Sequence, residues 1–135
     1  MPDSSDVTAG TNATALQYNN LRKDLMLGKR IPGAESDGAT ITIDWSDTTK
    51  GNIRSATLGG NRTIAFSNVT VGQSILIRVV QDATGGRTLT WPAGIKWPGG
   101  QAPTLSVAAN AIDAFLIFCT ATNVYDGYLA GFELS

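Results

Sequence analysis

The sequence predicts a mainly β protein, an antiparallel β-sandwich of jelly-roll type preceded by one short N-terminal α-helix. Three observations point there. From Ala39 onward apolar and polar residues alternate, as in Ile41, Ile43 and Trp45 against Thr40, Thr42 and Asp44. Turn-forming Gly, Asn, Asp and Pro recur between these segments. The run from Gln81 to Gly100 ends a strand, turns on Asp82, Gly85 and Gly86, returns from Arg87 to Trp91, and closes in a loop held by two Trp-Pro pairs. Each proline fixes its own φ and drives the preceding tryptophan into an extended conformation. A shallow barrel is the other architecture such strands could build.

Residues 1–30 read as a polar leader followed by an amphipathic helix. Thr11 or Asn12 offers an N-cap, helix-compatible residues continue through Leu27, and Gly28 stops the run. Tyr18, Leu21 and Leu25 form one apolar stripe, with Arg22, Lys23 and Asp24 on the other side. A lone helix of about four turns is marginal in water, so the stripe needs a partner, either its own β-domain or other subunits. Residues 31–38, with Pro32, Gly33 and Gly38, form a linker, and residues 39–135 form the β-domain.

After the first strand at Ile41–Trp45, a second covers Asn52 to Leu58, and Gly59-Gly60-Asn61 turns into Thr63 to Ser67. Val71-Gly72-Gln73 leads into Ser74–Val80, whose near-continuous apolar character implies burial on both faces or at an interface. Thr88–Trp91, a short segment around Leu105–Val107, Ala111–Cys119 and Val124–Phe132 complete the set, with Asn123 and Asp126-Gly127 marking turn or bulge positions. No internal repeat is evident.

The chemistry open to this chain is narrow. With 135 residues, one compact domain and an arm fit, but two cores do not. The formal charge is −1, which supplies no basic field for a nucleic-acid backbone. There is no histidine, which removes Ser-His-Asp and Cys-His nucleophile pairs and the usual zinc sets. Cys119 is the single cysteine and, among Phe115 to Phe118, is expected to be a small core residue. Paired-carboxylate catalysis would need Asp44 with Asp47, or Asp82 with Asp113 or Asp126, to converge; each sits at a strand end, where it more often caps a turn. Gly85-Gly86-Arg87-Thr88 lacks both the spacing and the following helix of a phosphate loop. No membrane insertion, secretory signal, metal or cofactor is expected. The Asn-X-Thr triplets at Asn12, Asn61 and Asn68 therefore carry no weight.

The aromatics remain. Trp45 and Trp91 are in phase with core positions. Trp97, in a Gly- and Pro-rich loop beside Lys96, is the first candidate for a surface contact, with the Tyr125 and Tyr128 turn as a second. Such aromatics could stack on sugar rings of a host-surface glycan.

Taken with Gly60-Asn-Arg-Thr-Ile-Ala-Phe66, Val71-Gly-Gln73, Ala102-Pro-Thr-Leu-Ser106, Ala109-Asn-Ala-Ile-Asp113 and Tyr125-Asp-Gly-Tyr128, the run from Gln81 to Gly100 resembles the β-domains of minor structural proteins of tailed bacteriophages, of tail-fibre, tail-tip or head-decoration type. The resemblance spans about residues 39–132. It implies a non-enzymatic virion protein, a homotrimer that assembles in the bacterial host cytoplasm and binds other tail or capsid proteins. The helix stripe Tyr18, Leu21 and Leu25 would then be the oligomerisation or docking element. A receptor- or glycan-binding module using Trp97, Lys96, Tyr125 and Tyr128 is the alternative.

Overall fold

A computed structural model describes residues 33–134. The expected leader and helix, with Tyr18, Leu21 and Leu25, lie outside the described residues. Nine strands follow in order: β1 (Gly33–Ala34), β2 (Thr40–Asp44), β3 (Ile53–Leu58), β4 (Arg62–Ser67), β5 (Ser74–Gln81), β6 (Leu89–Thr90), β7 (Ile95–Lys96), β8 (Ile112–Ala121) and β9 (Val124–Leu134). The described residues are thus mainly β, and their strands belong to two sheets, one ordered β1-β3-β5-β8-β9-β7 and one ordered β2-β4-β6.

The pairing differs from the antiparallel jelly roll that the alternation suggested. Through β6 the chain visits the two sheets in turn, and like strands stack in parallel: Gly33 lies opposite Arg54, Arg54 opposite Ile77, and Thr40 opposite Thr63. Parallel neighbours need a long crossover between them. Here a strand of the other sheet is that crossover, as in a β-solenoid, so no helix is required. The second half is antiparallel. β8 pairs with β5, and β8 turns through Thr122 and Asn123 into β9, with Asn123 at φ 59. A two-residue turn of this kind favours asparagine because it tolerates positive φ.

The return from β5 shows why the hairpin expected there does not form. Gly85 and Gly86 both have positive φ, 74 and 70, and a Cβ on Gly85 would lie 2.5 Å from the Val107 carbonyl oxygen. The loop therefore passes close under the 105–107 segment and delivers β6 to the three-stranded sheet, beside β4. Buried Gln81 substitutes for a strand partner: its Nε2 donates to the carbonyls of Arg87 and Ser106, each at 2.9 Å, and its Oε1 accepts from Arg87 N at 2.9 Å. The strand expected around Leu105–Val107 is likewise absent. Ser106 N and Oγ instead donate to the carboxylate of Asp113, at 2.7 and 2.6 Å, and Asp113 also accepts from Glu133 N at 3.0 Å.

Both sheets feed one core. Ile41, Ile43 and Ile64 meet Leu58, Ile75, Ile77, Val79, Phe115, Ile117 and Cys119, all buried. Two aromatic groups flank it. Trp45, Phe66 and Tyr125 pack with centroids 5.1–5.8 Å apart, and Trp91 packs edge-on against Phe115 at 4.8 Å and Trp97 at 5.3 Å. Beside β1, Arg54 points inward and is closed off by Glu35. Arg54 Nη1 donates to Glu35 Oε2 at 3.0 Å, Arg54 Nε to Gly51 O at 2.8 Å, and Lys50 Nζ to Glu35 Oε1 at 2.9 Å. Arg54 takes an inward position of β3 that alternation would assign to an apolar residue, so this buried pair is not legible from the pattern alone.

Candidate binding surface

Of the five candidate aspartates, Asp44, Asp47 and Asp82 are each committed to a turn, and Asp113 is buried and bonded to Ser106 and Glu133. Asp44 Oδ1 accepts from Ser46 N at 2.9 Å, and Asp47 Oδ1 accepts from Thr49 N at 3.0 Å. Asp82 accepts from Thr84 N and Gly85 N, each at 3.0 Å, and from Arg87 Nη2 at 2.8 Å. These bonds favour the ionised form and hold all three carboxyls below their ordinary value, led by the side-chain bonds from Ser46, Thr49 and Arg87 respectively. A general acid needs the opposite shift. No cluster of metal-ligating side chains occurs among the described residues.

Of the four residues picked out as surface contacts, the structure separates two from two. Tyr125 faces inward in the register that aligns it with Cys119, and it is 4% exposed. Burial pushes its hydroxyl pKa up. Trp97 has the extended backbone expected of a residue before proline, φ −101 and ψ 149. Its ring nevertheless folds inward, over a glycine: a Cβ on Gly127 would come within 2.6 Å of Trp97 Cζ3. A glycine inside a strand often marks such a close approach, and that is the signal by which Trp97 could have been assigned to the core. Lys96 and Tyr128 are exposed and lie on the opposite, outer face of the six-stranded sheet, Lys96 opposite Asp126 and Tyr128 opposite Leu116. The four residues thus form no single platform.

Two surface features stand out instead. One is a groove of about 270 Å³ lined by Arg87, Leu89, Trp91, Pro103, Leu105 and Val107. Arg87 is fixed there by Asp82. The other is the β8–β9 hairpin, with its outer face at Phe118 and Tyr128. Five of the seven exposed large apolar residues among those described, Phe118, Tyr128, Leu129, Phe132 and Leu134, lie on these two strands. On that face the Phe118 and Tyr128 rings pack edge to face at 6.2 Å. Beyond Asp126, β9 also has no partner on its β7 side among the described residues, because β7 pairs only with Tyr125 and Asp126. An apolar strand with an open backbone edge is a site for pairing or burial. Sequence reasoning missed Phe118, Leu129, Phe132 and Leu134; the apolar character of the 124–134 segment on both alternating sets was the available sign.

Comparison with curated proteins and with solved structures finds no significant match. A family profile does match, over residues 41–120, more than half of the chain and from β2 to the end of β8; its description is Putative phage tail fibre C-terminal domain. A phage tail fibre domain is a virion component with a structural role. The chain belongs to this phage tail fibre C-terminal domain family.

Proposed function

We propose that the protein is a non-enzymatic structural component of a tailed-bacteriophage particle, a homotrimer that works by assembly and binding. A short tail fibre fits best, with a tail adaptor or a capsid decoration protein as variants of the same role. The family match carries this reading, and the concentration of exposed apolar side chains on β8 and β9 supports it. Residues 1–30 serve to anchor or oligomerise the β-domain through Tyr18, Leu21 and Leu25, and assembly with other virion proteins takes place in the bacterial cytoplasm. Light scattering coupled to gel filtration tests the trimer: a mass near three times 14.1 kDa is expected, and a stable monomer would overturn it. The double substitution Leu21→Asp, Leu25→Asp is expected to weaken trimerisation or incorporation into particles. Wild-type assembly of that variant would remove the anchoring role.

A second activity, contact with a host-surface glycan, is favoured by the groove at Trp91, since concave apolar sites with a few fixed polar groups suit small ligands. Lys96 and Tyr128, exposed on the outer face, are the remaining members of the contact set. Glycan-array binding that survives both Tyr128→Ala and Lys96→Ala would shift the site to the groove.

A further inference from the structure

We infer that the outer face of the six-stranded sheet is the surface through which copies of this chain meet, with Arg78 of one copy set against Asp126 of the next; this rests on the homotrimeric reading above and names its interface.

The register defines the face. Ile53, Leu76, Leu116 and Tyr128 are successive partners across β3, β5, β8 and β9, so they form an apolar row at right angles to the strands. One step along, Phe118 lies between Ser74 and Asp126; one step the other way, Arg78 lies opposite Ala114. Side chains alternate along a strand, and the core takes Ile75, Ile77, Val79, Phe115 and Ile117, which leaves Leu76, Arg78, Leu116 and Phe118 on the outer side. Arg78 and Asp126 therefore sit on opposite flanks of β8, with the apolar row between them.

This arrangement selects the occupant. Neither Arg78 nor Asp126 has an ion-pair partner among the described residues, Lys96 beside Asp126 included. A purely apolar partner laid over this face would bury an uncompensated guanidinium, which is costly. The partner must bring an apolar surface to Leu116 and Tyr128 together with an anion to Arg78. The same face of a second copy brings both. Because the two charges lie on opposite flanks, each copy offers its Arg78 side to the Asp126 side of the next, a head-to-tail contact that forms a closed ring of three when its rotation is threefold. Opposed charges at such a contact fix its register and reject misaligned neighbours.

The test uses full-length protein and four forms: wild type, Arg78→Asp, Asp126→Arg, and both changes together. Circular dichroism and the urea midpoint establish folding, and light scattering over a dilution series reports mass. The wild type is expected to be a multimer. Each single substitution, which sets like charges together, should raise the half-dissociation concentration on the order of tenfold or more, and the double substitution should restore it towards wild type. Folded single variants that keep wild-type mass, or a double variant that fails to recover, would overturn the interface. If Leu21→Asp, Leu25→Asp dissociates the multimer while Arg78→Asp does not, the copies join through the leader, so the trimer stands and this interface falls. A monomeric wild type overturns both.

Discussion

On one side of β5 the chain stacks parallel strands whose polar groups are closely matched; on the other it runs an antiparallel hairpin whose far half is bare. The coil of β1 to β6 buries Arg54 against Glu35 and ties its corners with Asp37–Arg62 and Asp82–Arg87 pairs. The hairpin of β8 and β9 begins in the core, at Phe115 and Ile117, and ends with Phe132 and Leu134 about half exposed. Both regions share one sheet and the same alternating pattern. They differ in what covers them. The coil closes its buried ion pair and its corners among its own residues, although Trp45 Nε1 is left without a partner among the described residues, and these contacts serve stability. Part of the hairpin's apolar surface packs against nothing among the described residues, and the proposed assembly rests on that surface.

The sharpest contrast is between two phenylalanines. Phe115 is fully buried and packs against Trp91 and Trp97. Phe115→Ala is expected to destabilise the fold by about 3–5 kcal/mol, the transfer and cavity cost of a buried aromatic. Phe132, 52% exposed, should cost less than about 1 kcal/mol when changed to Ala. Urea unfolding, at a concentration too low for copies to associate, measures both. Equal losses would mean that the hairpin end is as deeply packed as its beginning, and the contrast would collapse.

Next in size is the buried pair of the coil. Arg54 and Glu35 side chains are 1% and 2% exposed. Arg54→Ala leaves the Glu35 carboxylate facing Lys50 alone and is expected to cost about 3 kcal/mol. Arg54→Met together with Glu35→Gln removes both charges while keeping bulk, and should recover much of that loss. If the double variant is no better than Arg54→Ala, the arginine acts by packing its stem, and the ionic closure of the coil adds nothing.

This division also explains what could be read in advance. Strand positions were legible because alternation is local: Ile41, Ile43 and Trp45 point inward as expected, Cys119 is buried, and Asn123 makes the turn between β8 and β9. Pairing was not legible, because parallel and antiparallel neighbours impose the same alternation on a half-buried strand. A subtler sign was present. Thr40-Ile-Thr-Ile43, Thr63-Ile-Ala-Phe66 and Thr88-Leu-Thr-Trp91 repeat one pattern, and the first two align residue for residue in the β2–β4 register. The third slips by two, with Thr63 opposite Thr90, which preserves the inward face but hides the repeat. Repeats of 20 to 50 residues signal coiled architectures. The candidate surface fared less well. Trp97 looked exposed because its loop is rich in Gly and Pro, whereas its burial depends on Gly127, thirty residues away and adjacent only once β7 joins β9.

The smallest expected effect concerns the corner pair Asp37–Arg62, and it tests whether the coil's exposed ion pairs contribute to stability at all. Arg62 Nε and Nη2 donate to the two oxygens of Asp37 at 2.7 and 2.9 Å. Chiefly through these bonds, the Asp37 carboxyl is lowered from 3.8 to about 2. A group whose pKa is lower in the folded protein than in the unfolded chain adds stability above the unfolded value and loses it as pH falls through the folded one. The contribution of Asp37 should therefore be complete at neutral pH and fade between pH 3.8 and about 2. Asp37→Asn is expected to be slightly less stable than wild type at pH 7, with the gap closing by pH 2 and narrowing in high salt, as suits a pair open to solvent. Urea midpoints of the two forms at pH 7, 4 and 2 measure this. A gap that holds constant across that range would show that Asp37 stabilises its corner through hydrogen-bond geometry, independently of its charge.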